Sequence, residues 1–245
     1  MLIYIYDGSF EGILSAIYES YHRKEEPSRI TSFDQNREAL FERCELIVTD
    51  EQKAAKVYKA VRSRISDIAL RKAFHVFLSN VEDKDTIIYR YLRLGFIYGP
   101  KVDFYLQKKD VLSVHKLSRK VTLEYHRFQG LIRFSRTESD IYYTRYQPDH
   151  NITCLLAPHF AKRFADQNWV IHDTKRGLAA VFNRQEWLLA DACTVKMPAE
   201  SAKEKAVQEI WKEYHRSISI NERKNLRLQK NMMPRRYWKD LTEEP

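Results

Sequence analysis

Hydrophobic positions change their spacing several times along this chain, and each change predicts an element. Leu2 to Tyr6 is a continuous apolar run that reads as a buried strand. Asp7-Gly8-Ser9 then opens a helix with Ser9 as its cap and Phe10, Ile13, Leu14, Ile17, Tyr18 and Tyr21 as its apolar face. Glu25 to Ser28 is a loop, Arg29 to Ser32 a short strand and Leu46-Ile47-Val48 a firmer one. Thr49-Asp50 caps a helix through Ala55, Val57, Tyr58 and Val61. Ser66-Asp67 starts the next, which carries Ile68, Leu70, Ala73, Phe74, Phe77 and Leu78. Residues 1–82 therefore read as a small α/β module, and the charged stretch Asn80 to Asp85 marks a boundary with a second domain, residues 83–245.

Beyond that boundary the period is first helical. Thr86, Ile87, Ile88, Tyr91 and Leu92 mark a helix that stops near Gly95 or Gly99-Pro100. Asp110 to Phe128 predicts a longer one, ended by Gly130. Alternation then takes over, with Leu131 to Ser135 and Ile141 to Tyr146 as a hairpin. From Ile152 the positions Ile152, Leu155, Leu156, Phe160 and Phe164 form one helical stripe, interrupted by Pro158. Asp149, just before it, reads as its cap. Trp169 to Asp173 and Leu178 to Phe182 make a second hairpin, followed by a strand at Trp187 to Ala190. After Pro198, Val207, Ile210, Trp211, Tyr214 and Ile218 stripe a docking helix. The fold class predicted is α+β: the small α/β module, a helical region, and an antiparallel sheet packed by helices.

Composition narrows the class. At 245 residues with 44% hydrophobic and 13% aromatic residues, the chain has enough apolar surface for real cores. The three cysteines, Cys44, Cys154 and Cys193, form no CxxC pair, which predicts reduced, mostly buried thiols and no local metal site. The start of the chain lacks the form of a signal peptide, and no apolar run approaches the roughly 20 residues that span a bilayer. A soluble cytoplasmic protein without membrane contact is the expectation.

Charge adds direction. The net charge is +9, and the tail Asn221 to Asp240 holds seven basic residues against two acidic ones, more than half of that excess. Arg223, Arg227 and Lys230 fall at i, i+4 and i+7, one face of a helix, flanked by Lys224. Arg235, Arg236, Tyr237, Trp238 and Lys239 place aromatic rings among the charges. Such groups neutralise phosphates and stack on bases; the plain alternative is a solvated helix whose Trp238 docks on the core.

His159 and Arg163 sit on the Ile152 stripe, where a core helix would carry Leu or Ala. His126 closes the long helix beside Arg127-Phe128-Gln129-Gly130, and His150 and His172 complete the set, with His215 a weaker member. Neutral imidazoles suit acid/base work, and Asp173, at a strand end before a basic turn, can orient a histidine or pair with Arg176. No HExxH, GxSxG or Walker pattern is present, and no metal site is predicted.

Several stretches together resemble one known family. Tyr6 to Gly12 is similar to its amino-terminal signature. His126 to Phe134, Pro148-Asp149-His150, His159 to Phe164, Trp169 to Asp173 and Arg176-Gly177 resemble its central ones. Glu222 to Asn225 and Met233 to Trp238 resemble its closing ones. The family is the bacterial "probable DNA metabolism protein" family, encoded beside a DNA modification or repair radical SAM protein and in some members fused to a uracil-DNA glycosylase domain. The resemblance implies a DNA context and a radical SAM partner. This chain has no CxxxCxxC motif, so an iron–sulfur cluster and S-adenosylmethionine would belong to that partner, with no cofactor in this chain. With Pro245 as its last residue the chain leaves no room for the glycosylase domain, so that activity is not expected.

Three readings follow. The first is a DNA-binding accessory protein in repair or modification. Arg133, His150, Arg163, Arg176, Arg223, Lys224, Arg227, Lys230, Arg235, Arg236, Trp238 and Lys239 would contact nucleic acid, over a hollow lined by histidines. The second is a nucleic-acid-processing enzyme using His126, His159 and Asp173. The third is an RNA-facing module, which tail charge does not distinguish from the first.

Overall fold

Strand β1, Leu2–Tyr6, is the centre of a three-stranded parallel sheet in the order β2-β1-β3, with β2 at Arg29–Ser32 and β3 at Arg43–Leu46. A computed structural model describes residues 1–33, 42–194 and 198–243. The chain divides into two compact units, Met1–Thr122 and Leu123–Pro245. In the first, helix α1 (Phe10–His22) is capped as expected: the Ser9 hydroxyl accepts the Gly12 N–H at 2.9 Å. Asp50 and Ser66 cap α2 (Glu51–Arg64) and α3 (Asp67–Phe77) in the same way. Each such cap contributes about 1 kcal/mol. Helix α4 (Lys84–Tyr98) ends at Gly99, whose φ of 60° suits a residue without a Cβ. Its Thr86 hydroxyl accepts the Ile30 N–H at 3.1 Å, satisfying an edge-strand group that no neighbouring strand among the described residues reaches.

Two expectations for this unit need correction. The strand predicted at Leu46 to Val48 lies instead at Arg43–Leu46, with Leu46 and Val48 exposed and Ile47 buried. As an edge strand β3 tolerates polar residues, and Arg43 pairs there with Glu25 and Glu45, and Glu45 also with Arg23. The helices predicted after residue 83 do not all go with the later domain. Helix α4 packs on α3 and β2, so the first unit runs on to Thr122.

Helix α5 (Lys109–Leu131) starts in the first unit and its residues from Leu123 belong to the second. It runs through Gly130, so Leu131 is helical and the hairpin predicted from Leu131 shrinks to β4, Ser135–Arg136, against β5, Tyr142–Tyr146. The sheet has the order β4-β5-β6-β7-β8, with β6 at Trp169–Asp173, β7 at Leu178–Phe182 and β8 at Trp187–Asp191. It is mixed, where an antiparallel sheet was expected: β5 and β6 run parallel, with Tyr142 opposite Trp169 and Tyr146 opposite Asp173. A parallel pair needs a crossover, and α6 (Thr153–Arg163) supplies it. That helix buries Leu156 and Phe160 against β6, β7 and β8, each side chain contributing about 1.5–3 kcal/mol. Asp149 does not cap it; the residue before the helix is Ile152, with no side-chain cap.

The remaining segments are helical: α7 (Ala202–Ile218), a 3-10 turn at Asn221–Arg223, α8 (Leu226–Met232) and a 3-10 turn at Arg235–Asp240. The stripe expected to dock α7 is exposed, from 41% at Trp211 to 69% at Ile210. Cys44 and Cys193 are exposed rather than buried, and all three thiols are free. Cys193 lies against the turn of the β6–β7 hairpin. A Cβ on Gly177, where φ is 61°, would meet its sulfur at 2.3 Å, so both backbone and neighbour require glycine. No helix among the described residues is long and apolar enough to cross a membrane.

Candidate nucleic-acid interface

Helix α7 carries two different faces. Gln208, Lys212, His215, Arg216 and Ser219 recur at helical spacing and form one wall of an open groove of about 1120 Å³. Across it stand Arg223, Lys224, Asn225 and, from α8, Leu226, Leu228, Gln229 and Met232, with Lys239 and Thr242 beyond. Lys212 and Arg216 pair with Glu209 and Glu213 on their own helix. Arg223 and Lys224 are exposed and have no ion pair among the described residues. Glu243 is the acidic residue in the lining, and Arg133 already neutralises it at 2.5 Å. The groove thus presents a strip of cations with little opposing charge.

The continuous basic helical face expected at Arg223, Arg227 and Lys230 does not form. Asn225 interrupts it by capping α8, its side chain accepting the Leu228 N–H at 3.0 Å. Arg227 and Lys230 are exposed but do not line the groove. Arg235 lies over the Trp238 ring at 5.5 Å, and the indole N–H donates to the Met233 carbonyl at 2.8 Å. Trp238 is therefore half-buried in its own turn. Lys239 bonds to the Gln147 side chain while lining the groove.

What holds this tail in place is a buried knot that sequence reading missed. Glu124 of α5 is 4% exposed and accepts the Tyr237 hydroxyl at 2.5 Å, the Asp149 N–H at 2.7 Å and the His150 N–H at 2.8 Å. Burial, with Glu124 beside it, pushes the Tyr237 hydroxyl above its ordinary range, so it stays a donor. Arg236 pairs with Asp149 at 2.7 Å, and Phe128 packs edge-on against Tyr237 and Tyr146. The signal was available: Glu124 follows Val121 by three and precedes Phe128 by four, a charge on an apolar stripe.

Several expected phosphate contacts are used internally. Arg133 bonds Glu243 and the Gly130 and Ile132 carbonyls. Arg176 pairs with Asp173 at 2.8 Å and donates to the Pro148 and Asp149 carbonyls. Asp173, fully buried, also accepts the Lys175 and Arg176 N–H groups, so it orders the hairpin turn and Arg176, not a histidine. Arg163 is exposed, its guanidinium over the Phe164 ring.

Nor do the histidines converge on the basic groove. His172 is buried against the Tyr143 hydroxyl at 2.7 Å, and burial pulls its pKa down. His150 contributes its backbone to Glu124. His126 and His159 are joined through Gln129, whose Oε1 lies 2.9 Å from His126 Nδ1 and whose Nε2 lies 3.2 Å from His159 Nδ1. Gln129 also donates to the Tyr125 hydroxyl at 2.8 Å. Burial and the nearby Arg163 lower the His159 pKa, which favours the neutral ring. His215 lines the groove, a place the tail-centred reading did not give it.

The other face of α7 borders a second, smaller cleft of about 430 Å³. Phe134, Tyr142, Phe160, Phe164, Val207 and Trp211 supply its apolar walls, and Gln129, Arg163, Glu204 and Gln208 its polar rim. Gln208 and Thr242 line both spaces. Among the described residues, no group of three or more His, Cys, Asp or Glu is placed to hold a metal ion.

The family described as domain of unknown function DUF4130 matches residues 82–243, about two thirds of the chain, and this span contains both clefts. No curated protein and no solved structure matches the chain.

Proposed function

The chain belongs to the DUF4130 family, and from the groove within the matched span we propose that it binds DNA. In this reading it is an accessory protein of repair or modification, presenting nucleic acid to a radical SAM partner that carries its own cluster. The partner rests on the resemblance of the sequence motifs alone. The observation that carries DNA binding is the strip Lys212, Arg216, Arg223, Lys224 and Lys239 along one groove. In it Lys212 and Arg216 pair on their own helix while Arg223 and Lys224 have no ion pair among the described residues, and the acidic Glu243 is taken by Arg133. Such a strip neutralises successive phosphates and releases their counterions, so affinity falls steeply with salt.

The test uses two charge reversals of equal size. Arg223→Glu with Lys224→Glu alters the groove, and Arg227→Glu with Lys230→Glu alters exposed cations outside it. In a fluorescence anisotropy titration the first pair reduces the slope of log K against log salt by about 1.5–2 and the second by much less. Equal losses would show a response to bulk charge without a site, and salt-independent binding would refute the proposal.

A second reading, an enzyme in its own right, is favoured by one observation, the His126–Gln129–His159 chain beside the smaller cleft. A product formed from damaged or undamaged oligonucleotides, and lost in His159→Ala, is its expected result. Formation undiminished in that variant excludes the role.

A further inference from the structure

Resting on the DNA-binding reading, we propose that the smaller cleft receives one unstacked nucleobase while the adjoining groove holds the phosphates of the same strand. At about 430 Å³ the cleft is at the small end of the range for small-molecule sites, about 300–1,000 Å³. Its walls are flat rings. Phe134 packs edge-on against Phe160 and Phe164 at 5.3 Å each, a rigid aromatic base to the space. Trp211 stands on the α7 side, 41% exposed, with its N–H 3.4 Å from Glu243 fixing the indole plane. An exposed tryptophan held this way is a stacking surface, and every base has a face to offer it.

The polar rim suits a base edge better than an apolar side chain. Gln208 Nε2 lies 3.2, 3.4 and 3.2 Å from Ser135, Glu200 and Glu204, which share its two hydrogens, while its Oε1 accepts nothing among the described residues. Gln129 uses its amide group on Tyr125 and His159, and its oxygen meets His126 alone, leaving acceptor capacity. Arg163 adds an exposed guanidinium. Amides and guanidinium groups are the side chains that pair with base edges. Above all, Gln208 and Thr242 border both spaces, so a ligand filling the two must carry a flat polar ring and an anionic backbone together. A single-stranded or locally opened segment of nucleic acid has that chemistry in every repeat; a free phosphate lacks the ring, and a peptide lacks an anionic backbone.

The experiment compares two labelled single-stranded oligonucleotides of equal length, one with natural bases and one with abasic residues at its central positions. Binding to the unaltered full chain is followed by anisotropy at low salt. The natural strand is expected to bind tighter by about 5- to 150-fold, the worth of stacking one base. Trp211→Ala removes most of that difference and leaves the abasic affinity unchanged. Equal affinity for the two strands overturns the base cleft while DNA binding stands, and so does a difference that Trp211→Ala leaves intact. If neither strand binds, both proposals fall.

Discussion

Removing the Tyr237 hydroxyl tests whether the Glu124 knot holds the tail. In Tyr237→Phe the ring still fills its place against Phe128, 4.6 Å between centroids, so packing is kept; what goes is the N–H the hydroxyl accepts from Arg236 at 3.0 Å and, chiefly, its bond to Glu124. The Glu124 bond, 2.5 Å long and made to a buried carboxylate, belongs to the class that contributes about 1.5–3 kcal/mol. Glu124→Ala goes further, leaving the Asp149 and His150 N–H groups and the hydroxyl without their acceptor, for a loss of about 3–5 kcal/mol. If the two residues act through their mutual bond, the double variant loses less than the sum, by about 1–3 kcal/mol. Urea unfolding followed by far-ultraviolet circular dichroism gives the stabilities. Hydrogen exchange reads the tail directly, because the Tyr237 and Leu241 N–H groups bond the Pro234 and Trp238 carbonyls and lose protection if the segment comes loose. Additive losses with a coupling under about 0.5 kcal/mol would refute the knot, as would unchanged protection at Tyr237 and Leu241 in Tyr237→Phe.

Other variants separate structural cations from binding ones. Arg176→Ala leaves the fully buried Asp173 without its partner and should cost about 3–5 kcal/mol in urea unfolding. Because Arg176 is occupied internally, the same variant should keep the salt slope of DNA binding; a reduced slope would show that it reaches phosphate. Asp85, fully buried in the first unit, has its carboxyl pushed up to about 6 by burial, against the opposing pull of Lys84 and Arg29. The folded state then holds a proton that the unfolded state releases near 4, so this group makes stability fall as pH rises from about 4 to 6. Asp85→Asn should remove that slope and gain about 3 kcal/mol above pH 6 in pH-dependent urea unfolding, and a slope that persists would refute the assignment.

Most of the elements could be read from local spacing because their causes are local. The caps at Ser9, Asp50 and Ser66 bond to N–H groups three or fewer residues away, and the apolar stripe of α6 is a matter of helical period. The strands at Leu2–Tyr6, Trp169–Asp173 and Leu178–Phe182 are likewise short apolar runs with turn residues beside them. Strand direction is a different kind of fact. Nothing in the composition of Tyr142–Tyr146 says that it pairs parallel to Trp169–Asp173; that follows from the path of α6 between them.

Charge shows the same division. The number of cations in the tail is a property of the sequence, but which of them face the groove depends on Asn225 breaking the helix and on Glu124 anchoring Tyr237 from 113 residues away. Arg133 and Arg176 look the same as Arg223 in a list of residues, yet the half-buried Glu243 holds the first, the buried Asp173 holds the second, and the third is left to solvent. A side chain's type sets which partners it can take, and a chain read in order shows only near neighbours. The partner it keeps is chosen by folding, which brings distant carboxylates and carbonyls to some cations and leaves others facing water.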